Sequence, residues 1–117
     1  MSATLVTIIH PAFAPPGDLT AGLDPPEVWW RFTTGEANGY VAWWPEKDSF
    51  LLHWIESHRK GDGTRVLEAI GRWADEHGLD GKLICTVDTV PFYSRLGWLN
   101  IGQYMDPGHV EMWRPVS

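Results

Sequence analysis

Residues 50–87 constrain the chain more than any other stretch. An apolar run, Phe50-Leu51-Leu52-His53-Trp54-Ile55, leads into the loop His58-Arg59-Lys60-Gly61-Asp62-Gly63-Thr64. A helical pattern follows, in which Val66, Leu67, Ile70, Trp73, Ala74 and His77 recur at i, i+3, i+4 and i+7. Arg65, Glu68, Arg72, Asp75 and Glu76 take the opposite face, where Glu68 and Arg72 have the spacing of an i,i+4 pair. Gly78 suits the C-terminal stop, and Gly71 inside the helix costs about 1 kcal/mol relative to alanine unless close packing recovers it. A second apolar run, Lys82-Leu83-Ile84-Cys85-Thr86-Val87, suits a buried strand parallel to the first. Strand, loop, helix and strand then make one right-handed crossover.

The loop inside this unit reads as an anion cradle. Gly61 and Gly63 let the backbone turn tightly and come close to a ligand, since neither carries a Cβ. A helix starting at Gly63 or Thr64 presents unpaired N–H donors and the positive end of its dipole, which suit a phosphate or pyrophosphate. Arg59 and Lys60 add charge. Neither common nucleotide loop fits: the dinucleotide fingerprint needs a glycine where Val66 stands, and no Gly-Lys-Ser/Thr follows a four-residue gap.

Around this unit the chain reads as a strand meander. Thr4–His10 is a β-branched run suited to a first strand. Residues 11–27 form a Pro-rich loop, because Pro11, Pro15, Pro16, Pro25 and Pro26 leave no room for a long helix. Val28–Thr33 and Tyr40–Trp44 read as a hairpin turning through Gly35–Gly39, and Phe50–Ile55 as its next strand. A short helix from about Pro91 ends at Gly97, and Trp98–Gly102 pairs with His109–Trp113 across Asp106-Pro107-Gly108.

Composition narrows the class. At 117 residues the chain is read as one domain, 1–117, and its net charge of −6 argues against a nucleic-acid surface and leans toward a cationic acceptor such as an amine. The single cysteine, Cys85, and the lack of a leader or long apolar span point to a cytoplasmic chain away from membranes. The eight tryptophans are expected chiefly as core rings. The histidines, His10, His53, His58, His77 and His109, show no paired zinc spacing, so no metal site is expected.

The loop resembles motif A of the GNAT superfamily of N-acetyltransferases, Arg/Gln-x-x-Gly-x-Gly/Ala. Lys60-Gly61-Asp62-Gly63-Thr64 is similar to the Lys-Gly-x-Gly-Thr of histone acetyltransferases. Phe92-Tyr93-Ser94-Arg95-Leu96-Gly97-Trp98 resembles motif B, Phe-Tyr-x-x-x-Gly-Phe, in its serotonin N-acetyltransferase form. The two occur in the family's order, and the resemblance covers about residues 40–117.

It implies an α+β (mixed α/β) class and a GNAT-like acyl-CoA N-acyltransferase fold: a splayed mixed sheet, here with the helices between the first two strands reduced or absent. It further implies acetyl-CoA as cofactor, held by His58, Arg59, Lys60, Gly61, Asp62, Gly63 and Thr64, by the strand residues Trp54, Ile55 and Glu56, and by Asp88 and Tyr93. The implied reaction is direct attack of a primary amine on the thioester, with Tyr93 as general acid. Glu56 is the candidate general base; His53 and a water relay stay open. The acceptor face is expected to be open, suited to a protein lysine or N-terminus, or completed by a second copy in a homodimer. Two positions depart from the pattern, His58 at the Arg/Gln position and Asp62 inside the phosphate loop. They carry the alternative, a catalytically inactive GNAT-fold protein acting by acyl-CoA binding or protein contacts.

Overall fold

In a computed structural model the chain is described over residues 6–9, 29–34, 37–43, 48–56 and 61–116, the side chains of 53, 54 and 56 excepted. The Pro-rich loop and the basic part of the glycine loop, His58, Arg59 and Lys60, lie outside these residues, as does any helix between the first two strands.

The strands are β1 (Thr7–Ile9), β2 (Trp29–Thr34), β3 (Ala37–Ala42), β4 (Ser49–Glu56), β5 (Asp80–Thr86), β6 (Leu99–Tyr104) and β7 (Asp106–Arg114), with helices α1 (Asp62–His77) and α2 (Val90–Ser94). They form a seven-stranded sheet in the order β1-β2-β3-β4-β5-β7-β6. The pairing of β4 with β5 is parallel, as a helical crossover between them requires, and the other pairings are antiparallel.

Helix α1 covers the sheet through the apolar positions its periodicity marks. Val66, Leu67, Ile70, Trp73 and Ala74 are buried with Phe32, Val41, Phe50, Leu52 and Leu83. His77, expected on that face, is instead exposed; its ring lies 5.1 Å from that of Trp73 and 5.7 Å from that of Trp43 at the helix end. Gly78, in the left-handed region at φ 68°, ends α1 and turns its N–H back onto the last turn, leaving Leu79 to donate to the Ala74 carbonyl. Trp29, Trp73 and Trp98 are buried, and Trp30, Trp43 and Trp113 half-buried, so the rings serve mainly as packing.

Two turns lie elsewhere than expected. Ala37, Asn38 and Gly39 belong to β3, because Thr34 already pairs with Ala37, so the reversal does not run through Gly39. The β6–β7 hairpin reverses at Met105, which is 88% exposed with φ 63°, and Asp106-Pro107-Gly108 starts β7. There the Asp106 carboxylate accepts from the Gly108 N–H at 2.8 Å and faces His109 Nδ1 at 2.9 Å. The side chain satisfies the backbone locally, and the signal read as a hairpin turn is a cap on the strand start. The hydrogen bonds hold the Asp106 carboxyl below its usual range.

Candidate functional site

The parallel pairing of β4 and β5 lasts for only three residue pairs, Ser49 with Asp80, Phe50 with Gly81 and Leu51 with Lys82. Beyond them β4 continues to Glu56, still paired with β3 as far as Asn38–Glu56, and β5 continues to Thr86, paired with β7 as far as Thr86–His109. Each strand keeps its outer partner and loses its inner one, so the sheet splits into a wedge. The inner edge of β4 from Leu52 onward therefore offers backbone N–H and C=O groups to a ligand. Of the strand residues implied as contacts, Ile55 turns its side chain into the core, which leaves it a backbone contact. Trp54 and Glu56 are placed by their backbone alone, opposite Tyr40 and Asn38.

α1 begins at Asp62, soon after β4 ends at Glu56, which brings its N-terminus to the end of the sheet where β4 has lost β5. Gly61 is the N-cap in the left-handed region at φ 94°, a conformation that glycine adopts without cost, and makes no side-chain cap. The first helical hydrogen bond runs from Arg65 N–H to the Gly61 carbonyl, so the N–H groups of Asp62, Gly63 and Thr64 precede the ladder. Gly63 is buried and Thr64 half-buried. Such a cradle fits a pyrophosphate.

Asp62 does not face outward as a bare charge. It is buried, one carboxylate oxygen accepts from Arg65 Nη1 at 2.8 Å, and the other has no hydrogen-bond partner among the described residues. Arg65 lies close to the N-cap, with Nη1 3.7 Å from where a Cβ on Gly61 would be. The sequence pattern gives Arg65 to the solvent face of the helix; its i,i+3 spacing from an acidic first-turn residue is the signal that could have placed it at the site.

On the other arm, β5 passes through a 3₁₀ turn (Val87–Thr89) into α2. Asp88 is exposed in that turn. Tyr93 on α2 is buried, with its ring 5.1 Å from Phe92 and 6.3 Å from Trp98. Among the described residues its hydroxyl has no hydrogen-bond partner. Burial, with a smaller contribution from Cys85 on β5, pushes the Tyr93 phenol up to about 12. A phenol so placed keeps its proton throughout the neutral range. Among the described residues no group of histidine, cysteine, aspartate and glutamate could hold a metal ion, and no helix is long and apolar enough to cross a membrane.

No family model matches the chain, and no curated protein matches it by sequence. Solved structures match its fold. An acyl-CoA N-acyltransferase from Pseudomonas aeruginosa superposes with a TM-score of 0.72 at 16% identity, over 96% of this chain and 99% of that one. A Klebsiella pneumoniae protein described as an acyl-CoA N-acyltransferase gives the same score and identity over 97% and 98% of the two chains. The ribosomal-protein-S18-alanine N-acetyltransferase of Escherichia coli gives 0.57 at 18% identity, over 77% of this chain and 69% of that one.

Proposed function

From the GNAT acyl-CoA N-acyltransferase fold that these similarities and the wedge in the sheet establish, we propose that the protein is an acetyl-CoA-dependent N-acetyltransferase acting on a primary amine. The observation that carries the reading is the divergence of β4 and β5 with a buried phenol on one arm and a helix N-terminus on the other.

Bound acetyl-CoA supplies a thioester whose acyl carbon is open to an amine. The chain's residues bind, orient and manage protons. The amides of Asp62, Gly63 and Thr64 hold the pyrophosphate, joined by His58, Arg59 and Lys60. The free edge of β4 from Leu52 to Glu56 would pair with the amide-bearing arm of the cofactor, at Trp54, Ile55 and Glu56, and so fix the direction of approach. Asp88, in the middle of the turn into α2, would line the same side. Tyr93 holds a proton on its phenol oxygen for the departing sulfur, and its depth in the core keeps that proton in place at neutral pH. Glu56, at the end of β4, is the base proposed to take the proton that the amine gives up.

The acceptor is proposed to be an amine on a protein or peptide, an N-terminus or a lysine. Support comes from the acidic chain and from the fold's likeness to a ribosomal-protein-alanine N-acetyltransferase. The test incubates the protein with acetyl-CoA and a peptide library carrying free N-termini and lysines, and reads thiol release together with a 42 Da gain in peptide mass, the mass of an added acetyl group. Transfer to peptides is expected; transfer to small polyamines alone would overturn the acceptor class. The buried Asp62 carboxylate favours a second reading, an inactive acyl-CoA-binding protein, which predicts cofactor binding without transfer to any acceptor.

A further inference from the structure

A carboxylate in a phosphate cradle is a contradiction that the geometry resolves. Asp62 is only 5% exposed at the first position of α1, beside the amides that would hold the anion. One of its oxygens has no hydrogen-bond donor among the described residues, and a pyrophosphate diester carries no proton to offer it. Facing each other alone, the two anions would repel in a poorly solvated pocket.

A cation already bridges this place. The Arg65 guanidinium donates from Nη1 to Asp62 at 2.8 Å, reaches across the N-cap glycine and remains 46% exposed. A guanidinium has five N–H donors in a planar fork, so most of them stay available after this bond. Its pairing with Asp62 fixes a side chain that would otherwise sweep through solvent. We propose that Arg65, held by Asp62 beside Gly61, donates to the phosphates of the acyl-CoA, with Asp62 as the residue that positions it. The inference rests on the acyl-CoA reading of the cradle. It gives the loop a cation supplied from the helix, in a chain whose Arg/Gln position of motif A is His58.

Calorimetric titration of the purified protein with CoA tests it across wild type, Arg65→Gln, Asp62→Asn and the double variant, each first checked for an unchanged unfolding midpoint without ligand. Arg65→Gln should weaken CoA about tenfold to a hundredfold, because it removes a charge-assisted contact and leaves the Asp62 charge unpaired. Adding Asp62→Asn to it should restore part of that loss. Pantetheine, which lacks phosphates, should bind the four proteins alike. Unchanged CoA affinity in Arg65→Gln, or a double variant no better than that single one, would overturn the role of Arg65. Wild type that binds neither CoA nor pantetheine would instead overturn the acyl-CoA reading beneath it. Should Arg65→Gln unfold, Arg65→Lys replaces it: a point charge that cannot form the fork should also weaken CoA while leaving pantetheine unaffected, and equal CoA affinity would count against the inference.

Discussion

The phenol of Tyr93 provides a prediction whose size follows from its surroundings. Its ordinary value of 10 becomes about 12 in the folded chain, chiefly through burial. Above pH 10 the unfolded chain releases this proton while the folded chain keeps it, so the folded state binds more protons and stability falls as pH rises. The contribution is fully present below pH 10 and is lost progressively toward and through pH 12. With 1.36 kcal/mol per unit, the loss from this one group comes to about 2 kcal/mol by pH 11.5. Urea unfolding of wild type and Tyr93→Phe at pH 8, 10 and 11.5 measures it, since every other group is common to the two proteins and cancels. The variant should match wild type within about 1 kcal/mol at pH 8, where only a hydroxyl without a partner among the described residues is lost, and should exceed it by about 2 kcal/mol more at pH 11.5. Equal slopes against pH would refute the burial argument, and with it the reason for a protonated phenol in the wedge.

Other predictions concern the packing that holds the wedge open. Arg114 lies across Gly71, where a Cβ would come 2.9 Å from its Nη2, and forms a two-pronged pair with Asp75 at 2.9 and 3.0 Å. Gly71→Ala should therefore destabilise wild type but stabilise an Arg114→Ala background by up to about 1 kcal/mol, the helical gain of alanine over glycine; thermal unfolding of the four-protein cycle reads the change of sign. Gly81 marks the middle of the short β4–β5 pairing, where a Cβ would lie 2.7 Å from both Phe50 and Trp98. Gly81→Val should cost about 1–3 kcal/mol by urea titration and weaken acetyl-CoA binding through the displaced arms. Tyr93→Phe should lower kcat about 10²–10⁴-fold with little effect on acetyl-CoA affinity, measured by steady-state thiol release and calorimetry.

Much of this architecture was legible because one periodic segment dominated it. Val66, Leu67, Ile70, Trp73 and Ala74 mark a helix face at a spacing no strand can use, and an apolar run on each side leaves a parallel crossover as the simple connection. The wedge itself was implied only by resemblance, since no local pattern shows that pairing stops after Leu51 and Lys82; that depends on which outer strands pull on β4 and β5. Asp106-Pro107-Gly108 misplaced the last turn because side-chain capping and chain reversal use the same residues. Arg65 is exposed, as the helical wheel has it; its reach toward the N-cap leaves no mark there, because the wheel records direction around the axis whereas a long side chain reaches along it. Gly71 signals a close approach but not by what, as its partner Arg114 lies far along the chain.

The central claim is that the gap between β4 and β5 holds an acyl-CoA, and thermal unfolding followed by tryptophan fluorescence tests it directly. At a hundredfold excess over Kd, acetyl-CoA should add about 2.7 kcal/mol, raising the midpoint by several degrees in a domain of this size. An unchanged midpoint at millimolar acetyl-CoA would contradict the account.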